Sequence, residues 1–112
     1  MDNKRIGKLG ENTAAEYLKG DGYQILCRNF RCRAGEIDII AMKGYNLAFV
    51  EVKTRRTNIY GTPGESVTPF KQSHLKTAAQ YYLSSKPKGG IRPQNLQFDV
   101  IEIVINHICD AF

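Results

Sequence analysis

The stretch GEIDIIAMKGYNLAFVEVKTRR, residues 35–56, contains two runs rich in Ile, Val and Phe that are separated by the polar segment KGYN. Two such runs joined by a short Gly-containing connection predict a β-hairpin. Charged residues recur at alternate positions within the runs, namely Glu36, Asp38, Glu51 and Lys53. Since side chains alternate between the two faces of a strand, the stretch predicts a hairpin with a charged row on one face.

The register of this hairpin decides which charges meet, because a slip of one residue moves every side chain to the other face. We expect Met42 to pair with Leu47, although a bulge at Gly44 would shift this pairing. The charged face then holds two opposed pairs, Asp38 with Glu51 and Glu36 with Lys53. The same register predicts an apolar opposite face, made of Ile37, Ile39, Val50 and Val52.

Two carboxylates opposed across a hairpin repel each other, because their Cβ atoms lie only about 4.5–5.5 Å apart. A bound Mg²⁺ or Mn²⁺ would offset this repulsion, since these ions prefer carboxylate oxygens, waters and phosphate oxygens. Lys53 follows Glu51 on the same face and would help to deprotonate the attacking water or stabilise charge on a phosphate. The set predicts a site for phosphodiester hydrolysis. The alternative is a polar row on the wet face of an antiparallel hairpin.

The remaining elements follow from the periodicity of the apolar residues. Helical spacing covers residues 4–19 and 71–84, and strand-like runs cover residues 23–30, 36–42, 47–54 and 98–105. Residues 55–69 have no period and are interpreted as a surface loop. The predicted order is helix, three strands, helix and strand, and a length of 112 residues predicts one domain over residues 1–112.

Composition narrows the classes of partner. The chain carries 16 Lys and Arg against 11 Asp and Glu, a formal charge of +5, which favours a polyanionic partner such as nucleic acid. No run of about 18 apolar residues predicts a membrane span, so we expect no membrane partner. The N-terminus has no apolar segment typical of a secretory signal, and we therefore expect a cytoplasmic protein.

GEIDIIA and FVEVKTR, together with GKLGENTAAEYL before them and FDVIEI after the second helix, carry a resemblance. Over about residues 7–103 the sequence resembles the YraN-type bacterial proteins, which are similar to Holliday-junction resolvases and belong to the PD-(D/E)xK nuclease superfamily. The resemblance implies an α/β fold with a restriction-endonuclease-like αβββαβ core, a mixed sheet flanked by helices. The proline of the motif name is absent, and Ile37 stands in its place.

The resemblance also implies a set of catalytic residues. Asp38 and Glu51 would be ligands of Mg²⁺ or Mn²⁺, Lys53 would be the catalytic lysine, and Glu11 on the first helix would reach toward the metal. For Glu11 the alternative is a solvated helix glutamate like Glu16. The implied substrate is DNA, including branched DNA, and the implied assembly is a homodimer. A nucleic-acid-binding module whose nuclease site is inactive or needs a partner protein is the alternative function.

Basic residues bracket the acidic pair in the sequence. Arg55 and Arg56 follow Lys53 directly and would clamp phosphates beside a scissile bond. Arg31 and Arg33 belong to a second basic cluster, and Lys71 on the second helix would line the same groove. Solvated surface charge is the alternative for each of them.

Overall fold

The computed structural model describes residues 1–56, 67–85 and 92–112. Two helices and four strands follow in the order α1 (Asn3–Gly20), β1 (Gln24–Cys32), β2 (Gly35–Lys43), β3 (Asn46–Arg56), α2 (Pro69–Ser84) and β4 (Asn95–Ile105). The predicted order of elements is confirmed. Most of the predicted surface loop, residues 57–66, lies outside the described residues.

The four strands form one mixed sheet in the order β1-β2-β3-β4. The first three strands are antiparallel neighbours, and β4 runs parallel to β3. Because parallel neighbours need a crossover connection, the chain passes through α2 between β3 and β4. This is an α/β fold with a restriction-endonuclease-like αβββαβ core, as the resemblance implies.

Helix α1 covers one face of the sheet. Asp2 caps its N-terminus by accepting a hydrogen bond from the Arg5 N–H at 2.8 Å. Gly22, with φ of 90°, lies just beyond its C-terminus, where a left-handed residue ends a helix at little cost. The buried apolar side chains on this face are Ala14, Ala15, Leu18, Ile39, Ala41, Ala48 and Val50.

Helix α2 covers the other face. Its N-cap Thr68 accepts a hydrogen bond from the Lys71 N–H at 3.1 Å, and Pro69 occupies the first turn. The buried side chains on this face are Ile37, Ile40, Met42, Leu47, Phe49, Ala78, Ala79 and Tyr82. Neither α1 nor any other helix of the described ranges is long and apolar enough to cross a membrane.

The register of the β2–β3 hairpin agrees with the prediction near the turn. Met42 pairs with Leu47, and the ladder closes at Lys43 and Asn46. The turn therefore has only two residues, and its first, Gly44, has φ of 61°. Gly is favoured there because two-residue hairpin turns require a positive φ at this position.

The alternation of side chains breaks at Asp38, which the sequence does not predict. Ile39 packs under α1, as expected, but Ile37 packs under α2 beside Ile40. The prediction that Ile37 and Ile39 share a face is therefore wrong. The neighbouring strand β1 is irregular at the same level, because Asn29 has φ of 54°. The residues on either side of it, Arg28 and Phe30, keep their pairing with β2.

Candidate active site

The candidate site lies where β2 and β3 separate. Their ladder runs from the turn only as far as Ile39 and Val50. Beyond this point the carboxylate of Asp38 accepts a hydrogen bond from the Val52 N–H at 2.8 Å. The predicted backbone pairings of Asp38 with Glu51 and of Glu36 with Lys53 are therefore wrong, because a side chain of β2, rather than its backbone, satisfies β3 here.

Glu51 is the charged centre of the site. Its side chain is almost fully buried, since the residue is only 7% exposed. Lys71 Nζ lies 2.6 Å and Lys53 Nζ 3.5 Å from the same carboxylate oxygen, Oε1 of Glu51. A buried carboxylate needs such partners. Two ammonium groups from β3 and α2 thus partly offset the carboxylate repulsion that the sequence predicts.

Lys71 contacts Glu51 directly, whereas the sequence predicts only that Lys71 lines the same groove. Burial lowers the pKa of Lys71, but its hydrogen bond to Glu51 and the charges of Glu51 and Asp38 outweigh burial and raise that pKa. Lys71 thus joins the charged side chains at the fork through its contact with Glu51. The sequence could not indicate this contact, since 20 residues separate Lys71 from Glu51.

The surroundings of Asp38 raise the pKa of its carboxyl group. Burial is the largest cause that raises the pKa of Asp38 to about 6, and the charges of Glu51, Glu11 and Glu36 raise it further, against the opposing hydrogen bond from Val52. Burial and acidic neighbours both disfavour the charged form of a carboxyl group, and a nearby positive charge would favour it. A divalent cation would supply that charge, which makes the cluster a functional-site candidate.

Asn29 organises the acidic side chains next to Asp38. With its amide nitrogen facing them, Asn29 lies 3.0 Å from Oε1 of Glu11 and 3.1 Å from Oε1 of Glu36. We assign this orientation because the opposite one would place an amide oxygen against carboxylate oxygens. Sequence reasoning missed Asn29, although Asn tolerates positive φ better than most residues and therefore suits an irregular position.

Carboxylates are the ligands that a hard divalent ion prefers, and the fork of β2 and β3 offers those of Asp38 and Glu51. In the described part of the chain, no three His, Cys, Asp or Glu side chains are gathered closely enough to hold a metal ion. Glu11 is thus not brought with Asp38 and Glu51 into one set of three ligands. Two carboxylates remain sufficient for Mg²⁺ or Mn²⁺, because waters and substrate phosphates complete the shell of such ions.

The predicted phosphate-binding arginines are spread around the site. Arg31 pairs with Glu36 at 3.4 Å, and Arg33 is exposed in the turn after β1. Arg55 lies 3.1 Å from Glu102 of β4. Arg56 donates a hydrogen bond to the carbonyl oxygen of Met1, next to α1. The alternation of a strand directs Arg55 and Arg56 to opposite faces, so they do not form one clamp.

Comparison with known proteins identifies the family. Residues 10–103 match the family model described as "Uncharacterised protein family UPF0102". The chain belongs to the UPF0102 family. This confirms the resemblance to YraN-type proteins, since UPF0102 is the YraN family.

UPF0102 relatives match almost the whole chain. A UPF0102 protein of Geobacter sulfurreducens is 49% identical over 118 residues, which cover 98% of this chain and 90% of the relative. A UPF0102 protein of Syntrophomonas wolfei is 47% identical and covers 98% and 99%. One of Caldicellulosiruptor saccharolyticus is 45% identical over 95% of this chain and 87% of the relative. Proteins that share a fold can differ in activity, because activity depends on the residues of the site.

Proposed function

We propose that this UPF0102 protein is a metal-dependent endonuclease that hydrolyses phosphodiester bonds in DNA, with branched DNA among its substrates. The observation that carries the proposal is the group of charged side chains at the fork of β2 and β3. There the carboxylate of Asp38 accepts a hydrogen bond from the Val52 N–H, and Glu51 is buried beside Lys53 and Lys71. A buried carboxylate beside two lysines, near a second carboxyl group whose pKa is raised, is typical of a functional site.

Asp38 and Glu51 would hold one Mg²⁺ or Mn²⁺ ion. Such an ion supplies Lewis acidity toward the phosphate and lowers the pKa of water. Lys53, 3.5 Å from Glu51, would orient the attacking water and stabilise the charge that builds up on the phosphate. Glu11 acts through Asn29 and through its charge on Asp38, rather than as a direct ligand.

The basic side chains supply affinity for a polyanion. The net charge of +5 raises the local concentration of phosphate backbones. Lys71, Arg31 and Arg33 lie on the elements that border the site, and Arg55 lies further along β3. A DNA substrate also implies that the protein is located in the compartment that holds the chromosome, which in bacteria is the cytoplasm.

A second candidate is a nucleic-acid-binding module with the fold of a nuclease, inactive or dependent on a partner protein. The contact that favours it is the 2.6 Å ion pair between Lys71 and Glu51, which places an ammonium group where a metal ion would bind. This module would bind DNA through its basic side chains with a strong dependence on salt, but it would not cut.

A cleavage assay separates the two candidates. Branched, duplex and single-stranded DNA are incubated with the wild type and with Asp38→Ala in the presence of Mg²⁺ or Mn²⁺. We expect the wild type to cut at least one substrate and Asp38→Ala to lose about 10³-fold or more in rate, because the loss removes a metal ligand.

The matched control is Glu16→Ala, which removes an exposed carboxylate of α1 that pairs with Lys19. This variant should cut like the wild type. DNA binding without cutting of any substrate by the wild type would overturn the nuclease proposal in favour of the binding module. Equal cutting by Asp38→Ala would show that the site lies elsewhere.

We also propose a homodimer, which the resemblance to resolvases implies. In the described part of the chain β4 is an edge strand, and it exposes the apolar side chains Leu96, Phe98, Val100 and Val104. An open apolar edge is a template for pairing with a second chain. Light scattering should give twice the mass of one chain, with a shift to one chain in Val104→Lys; a wild-type monomer at working concentration would contradict the dimer.

A further inference from the structure

Phe70 is a large apolar side chain in the first turn of α2, and it is 76% exposed. Its ring centroid lies 4.4 Å from that of His74, one helical turn away, with an angle of 54° between the planes. Single exposed apolar residues are common on protein surfaces. Phe70 differs from them because a second ring supports one side of it.

His74 is itself fixed. Its Nδ1 lies 2.7 Å from the carbonyl oxygen of Ala34, in the connection between β1 and β2. A carbonyl can only accept, so Nδ1 carries the hydrogen. The bond ties the imidazole of α2 to the sheet, and the imidazole in turn restricts the ring of Phe70. The phenyl ring is thus held in place while most of its surface faces solvent.

This pair of rings borders the candidate active site. A cavity of about 380 Å³ is lined by Phe70 and His74 and also by Glu36 and Lys71. Lys71 is the next residue after Phe70, and its ammonium group contacts Glu51. The charge of Glu36 acts on Asp38. A group resting on Phe70 would therefore share this cavity with Glu36 and Lys71.

We propose that Phe70, supported by His74, is a stacking platform for an unpaired nucleobase of the DNA substrate. The platform rests on the proposed function, because it assumes that nucleic acid enters the site. An exposed, fixed aromatic ring beside a lysine provides the two contacts that single-stranded nucleic acid requires, a π-face for the base and a cation for the backbone. Bases inside a duplex are stacked on each other and cannot reach such a ring.

The platform therefore specifies the class of substrate. DNA with an unpaired nucleotide next to the scissile phosphate, as in a gap, a flap or an open junction, would gain a contact that fully paired DNA lacks. Stacking on one aromatic side chain changes affinity by about 5- to 150-fold. A difference of about tenfold between gapped and fully paired DNA is expected to depend on Phe70.

The test measures binding in the presence of a chelator, where no cutting occurs. The probes are a gapped duplex with the fluorescent base 2-aminopurine in the gap and a fully paired duplex of the same sequence. We expect Phe70→Ala to bind the gapped probe about tenfold more weakly than wild type and to lose the quenching of 2-aminopurine. The wild type and Phe70→Ala should bind the paired duplex equally, and Phe70→Tyr should show the quenching that Phe70→Ala lacks.

Tyr45→Ala is the matched control, since it removes an aromatic ring of similar exposure from the β2–β3 turn. It should behave like the wild type. Unchanged binding and quenching in Phe70→Ala would overturn the platform, as would an equal loss for both probes. These outcomes would not decide the nuclease proposal, which the cleavage assay tests. If the wild type showed the stacking effect but cut no DNA, the platform would stand and the nuclease proposal would be overturned.

Discussion

Replacing Lys53 with methionine is expected to lower the rate of DNA cleavage by about 10³-fold and to leave the binding of Mn²⁺ intact. Lys53 contributes no ligand oxygen, and its ammonium group lies 3.5 Å from the carboxylate of Glu51. Removing a group that assists proton transfer or stabilises transition-state charge typically costs 10²- to 10⁴-fold in rate. Methionine keeps the length of the side chain, so packing changes little. Single-turnover cleavage and a calorimetric titration measure the two effects.

The control for this substitution is Lys43→Met. Lys43 is the last residue of β2 and, like Lys53, pairs with a carboxylate, that of Asp21 at 3.7 Å, but away from the site. Its replacement should leave cleavage unchanged. If Lys53→Met cut at the wild-type rate, Lys53 would be a structural partner of buried Glu51 and its catalytic role would be wrong.

Gly10→Ala is expected to destabilise the fold by about 3 kcal/mol and to lower Tm by about 10 °C or more. A Cβ at Gly10 would lie 1.6 Å from Oγ1 and 2.7 Å from Cβ of Thr54 in β3. Rotation of the threonine removes the first clash but not the second, so α1 has to move away from the sheet. The substitution should also displace the neighbouring Glu11 and thereby alter the site. Thermal unfolding measures the loss.

Gly7→Ala is the matched control on the same helix, one turn earlier. Apart from its chain neighbours and the backbone of its own helix, a Cβ at Gly7 would meet no atom of the described residues within 4 Å. It should stabilise the protein by about 0.5–1 kcal/mol, because alanine is the better helix former. Equal stability of the two variants would contradict the close approach of α1 to β3.

Much of the fold could be predicted because it depends on local patterns. The alternating apolar residues of β2 and β3 and the turn at Gly44 determine the hairpin, and its register near the turn agrees with the prediction. The stripe of small residues on α1 indicates its buried face. Likewise, the order of elements and their approximate ends follow from periodicity and from Gly and Pro.

The site was less accessible from the sequence, because it depends on where regular structure stops. The strand pattern gives no sign that β2 leaves β3 after Ile39, so the face of Ile37 was predicted wrongly. Asn29 and Lys71 reach the carboxylates from other elements, and such long-range contacts leave no signal in sequence spacing. Among the site residues, the spacing of Asp38, Glu51 and Lys53 indicated only that they belong together.

The most direct test of the account is a calorimetric titration of Mn²⁺ into the metal-free wild type and Asp38→Asn at pH 7.5 and pH 5. We expect saturable binding to the wild type at pH 7.5 and a loss of about 100-fold or more in affinity in Asp38→Asn. Because the pKa of Asp38 is raised to about 6, protons compete below this pH and should weaken binding by up to about tenfold at pH 5. Equal heats for the two proteins at pH 7.5 would contradict a metal site at Asp38 and Glu51.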